Sequence, residues 1–166
     1  RRSSWHSAST LGRAAERQRE FLTLYPENPA ADGAGFSLAV AYFALGLQEN
    51  AIALCGKLRA RWPKSAFLDN YLYLEGYASF RLEKFDTALE LCRRVATDKF
   101  PSPSGDQVES ENQAFSRYIL GQIYEALGKP AEAPYDLKEL KLLLDRVLAA
   151  LARFAAASAR RAAVDH

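Results

Sequence analysis

An internal repeat constrains this chain more than any other feature of its sequence. A short pattern recurs in which a small residue is followed by tyrosine three positions later and by alanine twelve positions later. The small residues are Ala39, Gly76 and Gly121, and the alanines are Ala51, Ala88 and Ala133. The copies lie 37 and then 45 residues apart, and the middle copy has Ser79 at the tyrosine position. Such a period is typical of architectures built from repeated supersecondary units.

An aromatic residue followed by proline supplies an independent marker of the same period. The pairs are Tyr25-Pro26, Trp62-Pro63 and Phe100-Pro101, spaced by 37 and 38 residues. Proline cannot continue a helix, and it disfavours helical angles at the residue before it. Each pair is therefore predicted to end one repeat.

Within each unit the apolar residues follow the spacing of a helix rather than the alternation of a strand. One apolar face runs from Phe36 to Leu45 and stops at Gly46, and the next runs from Ala51 to Leu58. One unit consists of a helix, a turn and a second helix, and it cannot bury the apolar faces of both helices by itself. Stacked copies of the unit are therefore expected to share a core. The predicted fold class is all-α.

The joint pattern resembles the tetratricopeptide repeat, whose small-x-x-Tyr signature, turn glycine, second-helix alanine and closing proline all occur here. The resemblance implies a right-handed α-α superhelix of about three helix pairs, with a leading helix and a long C-terminal helix. The expected organisation is a flexible segment over 1–10, a repeat domain over 11–150 and a helical extension over 149–166. The repeat domain divides into a half-repeat over 11–31 and repeats over 32–65, 69–101 and 114–148.

The stretch "WPKSAFLDNYLYLEGYASF" also resembles tetratricopeptide proteins of bacterial cell envelopes, such as those of outer-membrane assembly and the Tol-Pal system. This second resemblance implies a bacterial protein of the cytoplasm or the periplasm and leaves the compartment open. The chain contains no methionine, which favours a processed chain or a segment of a longer protein.

Two segments depart from the repeat. The longer interval adds residues to "DKFPSPSGDQVESEN", whose Ser, Pro and Gly content is typical of a solvated connecting loop. From Leu137 onward, apolar residues alternate by three and four, the spacing of a coiled-coil seam. Pro130 and Pro134 fall near the start of this helix, where proline is tolerated best. This helix either covers the last repeat or packs on another chain through its distal half, which contains Leu151 and Phe154.

Composition and spacing argue against several classes of function. With 22 basic and 20 acidic residues, no nucleic-acid footprint is expected, and no apolar run is long enough to span a membrane. Cys55 and Cys92 lie in apolar helical patterns and are expected to be buried thiols. His6 and His166 lie at opposite ends of the chain, so no metal site and no base for a nucleophile is expected. We therefore predict no catalytic site, metal or cofactor.

By the resemblance, the first helices of the repeats line the concave wall of the superhelix. The wall residues that it implies are Phe36, Val40, Phe43, Asn70, Tyr73, Tyr77, Phe80, Phe115, Tyr118, Gln122 and Glu125. Family members that hold the C-terminal carboxylate of chaperones use Lys, Arg and Asn on this wall. The corresponding positions here are Phe36, Val40, Leu74, Phe115 and Ile119, so that activity is not expected.

These observations predict a non-catalytic scaffold that binds a peptide or an amphipathic helix of a protein partner in an aromatic groove. The alternative is a structural module that forms homo-oligomers through its C-terminal helix, within a larger bacterial envelope protein. Leu151 and Phe154 would contribute to that oligomer contact.

Overall fold

The computed structural model describes residues 2–135, 138, 141, 142, 145, 146, 148–150, 152 and 153. Within this part of the chain the α-helices are α1 (Arg2–Leu24), α2 (Ala31–Ala44), α3 (Gln48–Arg61), α4 (Leu68–Arg81), α5 (Phe85–Thr97) and α6 (Gln113–Ala126). A short hairpin of β1 (Lys99–Pro101) and β2 (Gln107–Glu109) separates α5 from α6. The prediction of an all-α fold built from consecutive helix pairs is confirmed.

The first helix of each pair ends in the same hydrogen-bonded turn. One residue takes a left-handed conformation, with φ of 79° at Gly46, 58° at Glu83 and 71° at Gly128. The next residue donates its backbone N–H to the carbonyl five positions earlier; these bonds are Leu47 to Tyr42 (2.9 Å), Lys84 to Ser79 (2.9 Å) and Lys129 to Tyr124 (2.8 Å). This is the Schellman arrangement, in which the C-terminal carbonyls of a helix find donors. The middle repeat forms the turn without glycine.

The small residue of the repeat lies where the second helix of the pair comes close. A Cβ atom on Gly76 would lie 2.9 Å from the Cys92 Sγ and 3.2 Å from the Leu91 Cβ. Ala39 is fully buried in one cluster with Cys55, which occupies the equivalent repeat position, 37 residues before Cys92. Both cysteines are free and buried. Close approach of α4 and α5 therefore explains why position 76 has no side chain.

A serine links the start of each first helix to the start of the next. The Ser65 hydroxyl donates to Asp32 Oδ2 (2.9 Å) and accepts the N–H of the residue two positions on. The Ser110 hydroxyl donates to Asp69 Oδ2 (2.6 Å) and accepts the Asn112 N–H in the same way. The aspartates are 37 residues apart, whereas the serines are 45 residues apart. The additional residues between the serines lie in the hairpin, so the serine link is the same in both places.

Contacts between non-consecutive helices define the inner side of the array. Besides its neighbours in the chain, α4 contacts both α2 and α6. No comparable contact joins α3 to α5 in the described part of the chain. The first helices α2, α4 and α6 therefore approach one another on the inner side, while the second helices lie on the outer side.

Residues 2–10 belong to the segment expected to be flexible, but they are helical and form the first part of α1. The expected loop after α5 instead contains the hairpin, with Phe100 opposite Val108. The Phe100 side chain is 3% exposed and packs in a cluster with Leu72, Leu91 and Val95. Burial of this one aromatic ring holds the hairpin against the helices, which is why the insertion is ordered near its base.

The last repeat departs from the expected helix pair. Pro130–Glu132 forms one turn of 3-10 helix, and Ala133 is extended, with φ of −62° and ψ of 129°. Proline lacks an N–H and disfavours helical angles at the preceding residue, so Pro134 accounts for the break. The next described residues are helical, and we call them the C-terminal segment: 138, 141, 142, 145, 146, 148–150, 152 and 153.

Candidate functional site

Helix α4 lies between four other helices, and one stripe of its surface is left partly exposed. Asn70, Tyr73, Tyr77 and Phe80 are half-buried, whereas most of the intervening positions are buried. The spacing of three, four and three places these residues on one face of the helix. Because α4 contacts both α2 and α6, this face is the centre of the inner side of the array.

Aromatic rings form a continuous row across the three inner helices. Phe43 on α2 lies 5.0 Å from Tyr77 on α4, measured between ring centroids. Tyr77 lies 6.1 Å from Tyr73, which in turn lies 6.4 Å from Phe115 on α6. These separations are those of interacting aromatic pairs. We call Phe43, Tyr77, Tyr73 and Phe115 the aromatic ladder.

Two of the expected wall residues pack outside the ladder. Phe36 lies 5.8 Å from Phe67 and 6.3 Å from Tyr71, and none of these three rings belongs to the ladder. Phe80 lies 6.3 Å from Phe85 at the start of α5. Phe36 and Phe80 therefore pack on Phe67, Tyr71 and Phe85, none of which was predicted to line the wall.

The remaining wall residues extend the ladder at its two sides. Val40 is 42% exposed, beside the ladder on α2. On α6 the Gln122 amide donates a hydrogen bond of 3.2 Å to the Tyr118 hydroxyl, and Glu125 is exposed. Asn70 accepts a 3.0 Å hydrogen bond from the Asn112 amide, so it joins α4 to the start of α6.

A cavity of about 370 Å³ lies over the ladder between α4 and α6. The helices contribute Tyr73, Tyr77, Phe115, Tyr118, Ile119 and Gln122 to its lining. The C-terminal segment contributes Lys141, Asp145 and Leu148. None of these three residues was predicted to line the groove, although the coiled-coil spacing of apolar residues from Leu137 onward indicated a departure from the repeat. Leu151 and Phe154, the expected oligomer contacts, lie outside the described residues.

Burial keeps one ladder tyrosine and the two cysteines in their neutral forms near neutral pH. Burial raises the pKa of Tyr73 to about 12, and burial likewise raises the pKa of the Cys55 and Cys92 thiols to about 12. A thiol with such a pKa is not a nucleophile near neutral pH.

The Glu75 carboxylate accepts two hydrogen bonds from the Arg59 guanidinium, at 2.9 and 3.4 Å. Glu75 therefore belongs to a structural ion pair between α3 and α4.

The described part of the chain lacks two further features. No three His, Cys, Asp or Glu side chains in that part of the chain lie together in a way that could hold a metal ion. None of its helices combines the length and the apolar character that crossing a membrane requires.

One family model matches this chain, and it covers the first complete helix pair. Residues 34–65, which contain most of α2 and all of α3, match the model of the tetratricopeptide repeat. The match supports the tetratricopeptide-repeat class for this array, since α4 and α5 repeat the same turn and the same close packing. Tetratricopeptide repeats generally mediate protein–protein interactions. A comparison with curated proteins finds no match to the chain.

Proposed function

We propose that this protein is a non-catalytic interaction scaffold whose aromatic ladder binds an amphipathic helix or peptide of a protein partner. The observation that carries the proposal is the row of partly exposed rings that crosses α2, α4 and α6 without interruption. Rings of Phe and Tyr provide large contact area and lose little side-chain freedom on binding. A partner with an apolar face is favoured because ladder residues carry no charge.

The polar groups beside the ladder suit the edge of such a complex. The Tyr118 hydroxyl and the Gln122 amide are already joined by a hydrogen bond, and Glu125 lies exposed on the next turn of α6. A helix in this groove would place its apolar residues on the rings and its polar residues toward these groups, as helix-in-groove complexes do. The lack of a Lys and Arg clamp at Phe36, Val40 and Phe115 argues against capture of a peptide carboxylate.

The proposal is tested with helical peptides selected from a displayed library on the purified protein. Substitution of Tyr73 and Tyr77 by alanine is expected to reduce the affinity of the selected peptides at least tenfold, as for central aromatic contacts. Tyr25→Ala is the matched control, because Tyr25 is 55% exposed and lies outside the ladder. Peptides that bind the Tyr73→Ala/Tyr77→Ala protein as tightly as the parent chain would refute the groove assignment, provided that its helical content is unchanged.

We keep self-assembly as a second candidate function because apolar surface of the C-terminal segment is accessible to solvent. Leu142 is 53% exposed, and Leu148, which lines the cavity on one side, is 54% exposed. Light scattering over a range of concentrations tests this candidate. A dimer that is lost on truncation after Ala149 supports it, and a monomer at every concentration excludes it.

A further inference from the structure

Building on the proposed function, we propose that the chain's own C-terminal segment is an internal ligand of the groove, which a partner helix has to displace. The segment forms one side of the cavity that lies over the end of the aromatic ladder near α6. The groove is thereby regulated by the chain that contains it, and the segment indicates the chemistry of the partner: a helix with a leucine-like residue directed at the rings.

The first argument is the face that the segment turns toward the ladder. Lys141, Asp145 and Leu148 are spaced by four and three residues, so they lie on one side of a helix. All three line the same cavity as Tyr73 and Tyr77. An apolar residue with two charged residues on its flank is the pattern of an amphipathic helix laid into a groove.

The second argument is the connection that leads to the segment. In the first two pairs, the second helix begins two residues after the left-handed turn residue and runs for 14 residues in α3 and 13 in α5. In the last repeat, the same position starts a single 3-10 turn, followed by extended Ala133 and then Pro134. No continuous helix therefore ties the segment to the turn after α6, and the extended residue can serve as a hinge.

The third argument is the looseness of the contact. A second cavity, of about 800 Å³, separates α6 from the start of the segment, where Lys138 and Lys141 line it with Tyr118 and Gln122. By contrast, Cys55 and Cys92 are fully buried where α3 and α5 pack on their partner helices. Side chains that line such a void lose dispersion contacts on that side, which favours exchange of the segment for a partner helix. A partner helix that fills the space would compete with it.

The test measures binding of a labelled synthetic peptide with the sequence of residues 138–153 to the full chain by fluorescence anisotropy. Leu148→Glu replaces the apolar side chain that the segment contributes to the cavity by a charged one, and it is expected to release the segment. Release strengthens peptide binding about tenfold if the groove is open in about a tenth of the parent molecules. Leu142→Glu is the matched control, because Leu142 has nearly the same exposure but does not line the cavity. This control should bind the peptide as the parent chain does.

A covalent tether provides a second measurement that does not depend on release of the segment. Cysteines introduced at Gln122 and Asp145 should be joined within one molecule by a short bis-maleimide, since the native cysteines are buried. The tethered protein should bind the peptide more weakly than the untethered one. Failure of the tether to form, or equal peptide affinity for the parent chain, Leu148→Glu and Leu142→Glu, would overturn the inference. The proposed function is judged separately, by the selected library peptides and the ladder variants.

Discussion

Replacement of Gly76 by alanine tests the close packing between α4 and α5. The added Cβ would lie 2.9 Å from the Cys92 Sγ and 3.2 Å from the Leu91 Cβ, well inside ordinary contact distance. Leu91 Cβ is fixed to the backbone of α5, so the two helices have to separate by several tenths of an ångström. Overpacking of this kind costs about 1–3 kcal/mol. Alanine regains about 0.8–1 kcal/mol of helix propensity, which leaves a net loss of stability of about 1 kcal/mol.

Gly56→Ala is the matched control, because Gly56 also lies inside a helix but has space beside it. The nearest atom to its added Cβ is the Glu75 Oε1 at 3.9 Å, an ordinary contact. Only the gain in helix propensity remains, so this variant should be more stable than the parent by about 0.8–1 kcal/mol. The two substitutions are chemically identical, and the structure predicts opposite signs for them.

The assay is urea unfolding followed by far-ultraviolet circular dichroism, with the slope of the transition checked for constancy. The double variant Gly76→Ala/Cys92→Ala removes the Sγ atom and should recover part of the loss, with a coupling of at least about 0.5 kcal/mol between the two sites. Recovery is partial because the Leu91 Cβ remains. Equal stabilisation by Gly76→Ala and Gly56→Ala would refute the packing assigned to the repeat.

Three further predictions concern the turn, the serine link and alkaline pH. Glu83→Gly should raise the stability by about 0.5–1 kcal/mol in the same urea assay, because a left-handed conformation costs a non-glycine residue about 1–2 kcal/mol, which exceeds the flexibility cost of glycine. Ser110→Ala should lower the stability by about 1–3 kcal/mol, because the buried Asp69 carboxylate loses the 2.6 Å hydrogen bond that the Ser110 hydroxyl donates to it. Burial raises the pKa of Tyr71 and Tyr73 from 10.0 to about 12, so their contribution to stability is complete below pH 10 and is lost as the pH rises through about 12. Tyrosinate absorbance and circular dichroism, recorded together during an alkaline titration, should show late ionisation coupled to unfolding.

Each of these predictions has a control elsewhere in the chain. Glu90→Gly, on the exposed side of α5, should lose about 1 kcal/mol of stability. Ser104→Ala, at the exposed tip of the hairpin, should change stability by less than about 0.5 kcal/mol. Tyr73→Phe should reduce the loss of stability between pH 10 and 12. A loss in Ser104→Ala equal to that in Ser110→Ala, or an alkaline transition unchanged in Tyr73→Phe, would contradict the reasoning.

Much of the fold was predictable because the contacts of a repeat array join units that are close in sequence. Gly76 and Cys92 meet because a helix pair needs one small residue where its helices touch, and the pattern around Ala39 repeats that requirement. The residue type at position 83 does not predict the left-handed turn, because Glu83 is not glycine. The neighbouring helices impose this backbone conformation even where glycine is missing.

The serine link was not recognised, although Ser65 and Ser110 stand at equivalent positions, because a hydroxyl before a helix is usually taken as a local cap. Only the structure brings its second partner, an aspartate from the preceding unit, into contact. The hairpin was missed for a related reason. Its order depends on the burial of Phe100 against α4 and α5, which no feature of the loop sequence specifies.

The sequence by itself determined the first two helix pairs, their small contact residues and the aromatic stripe of α4, since all of these follow from local spacing along one helix or between adjacent ones. Tertiary structure alone decided which rings join into the ladder and where the C-terminal segment lies. Ring contacts such as Phe43 with Tyr77 depend on the angle between helices from different units. The segment's position depends on the direction that the chain takes after Pro134. Proline explains why the helix breaks there, but the direction of the chain after the break depends on long-range packing.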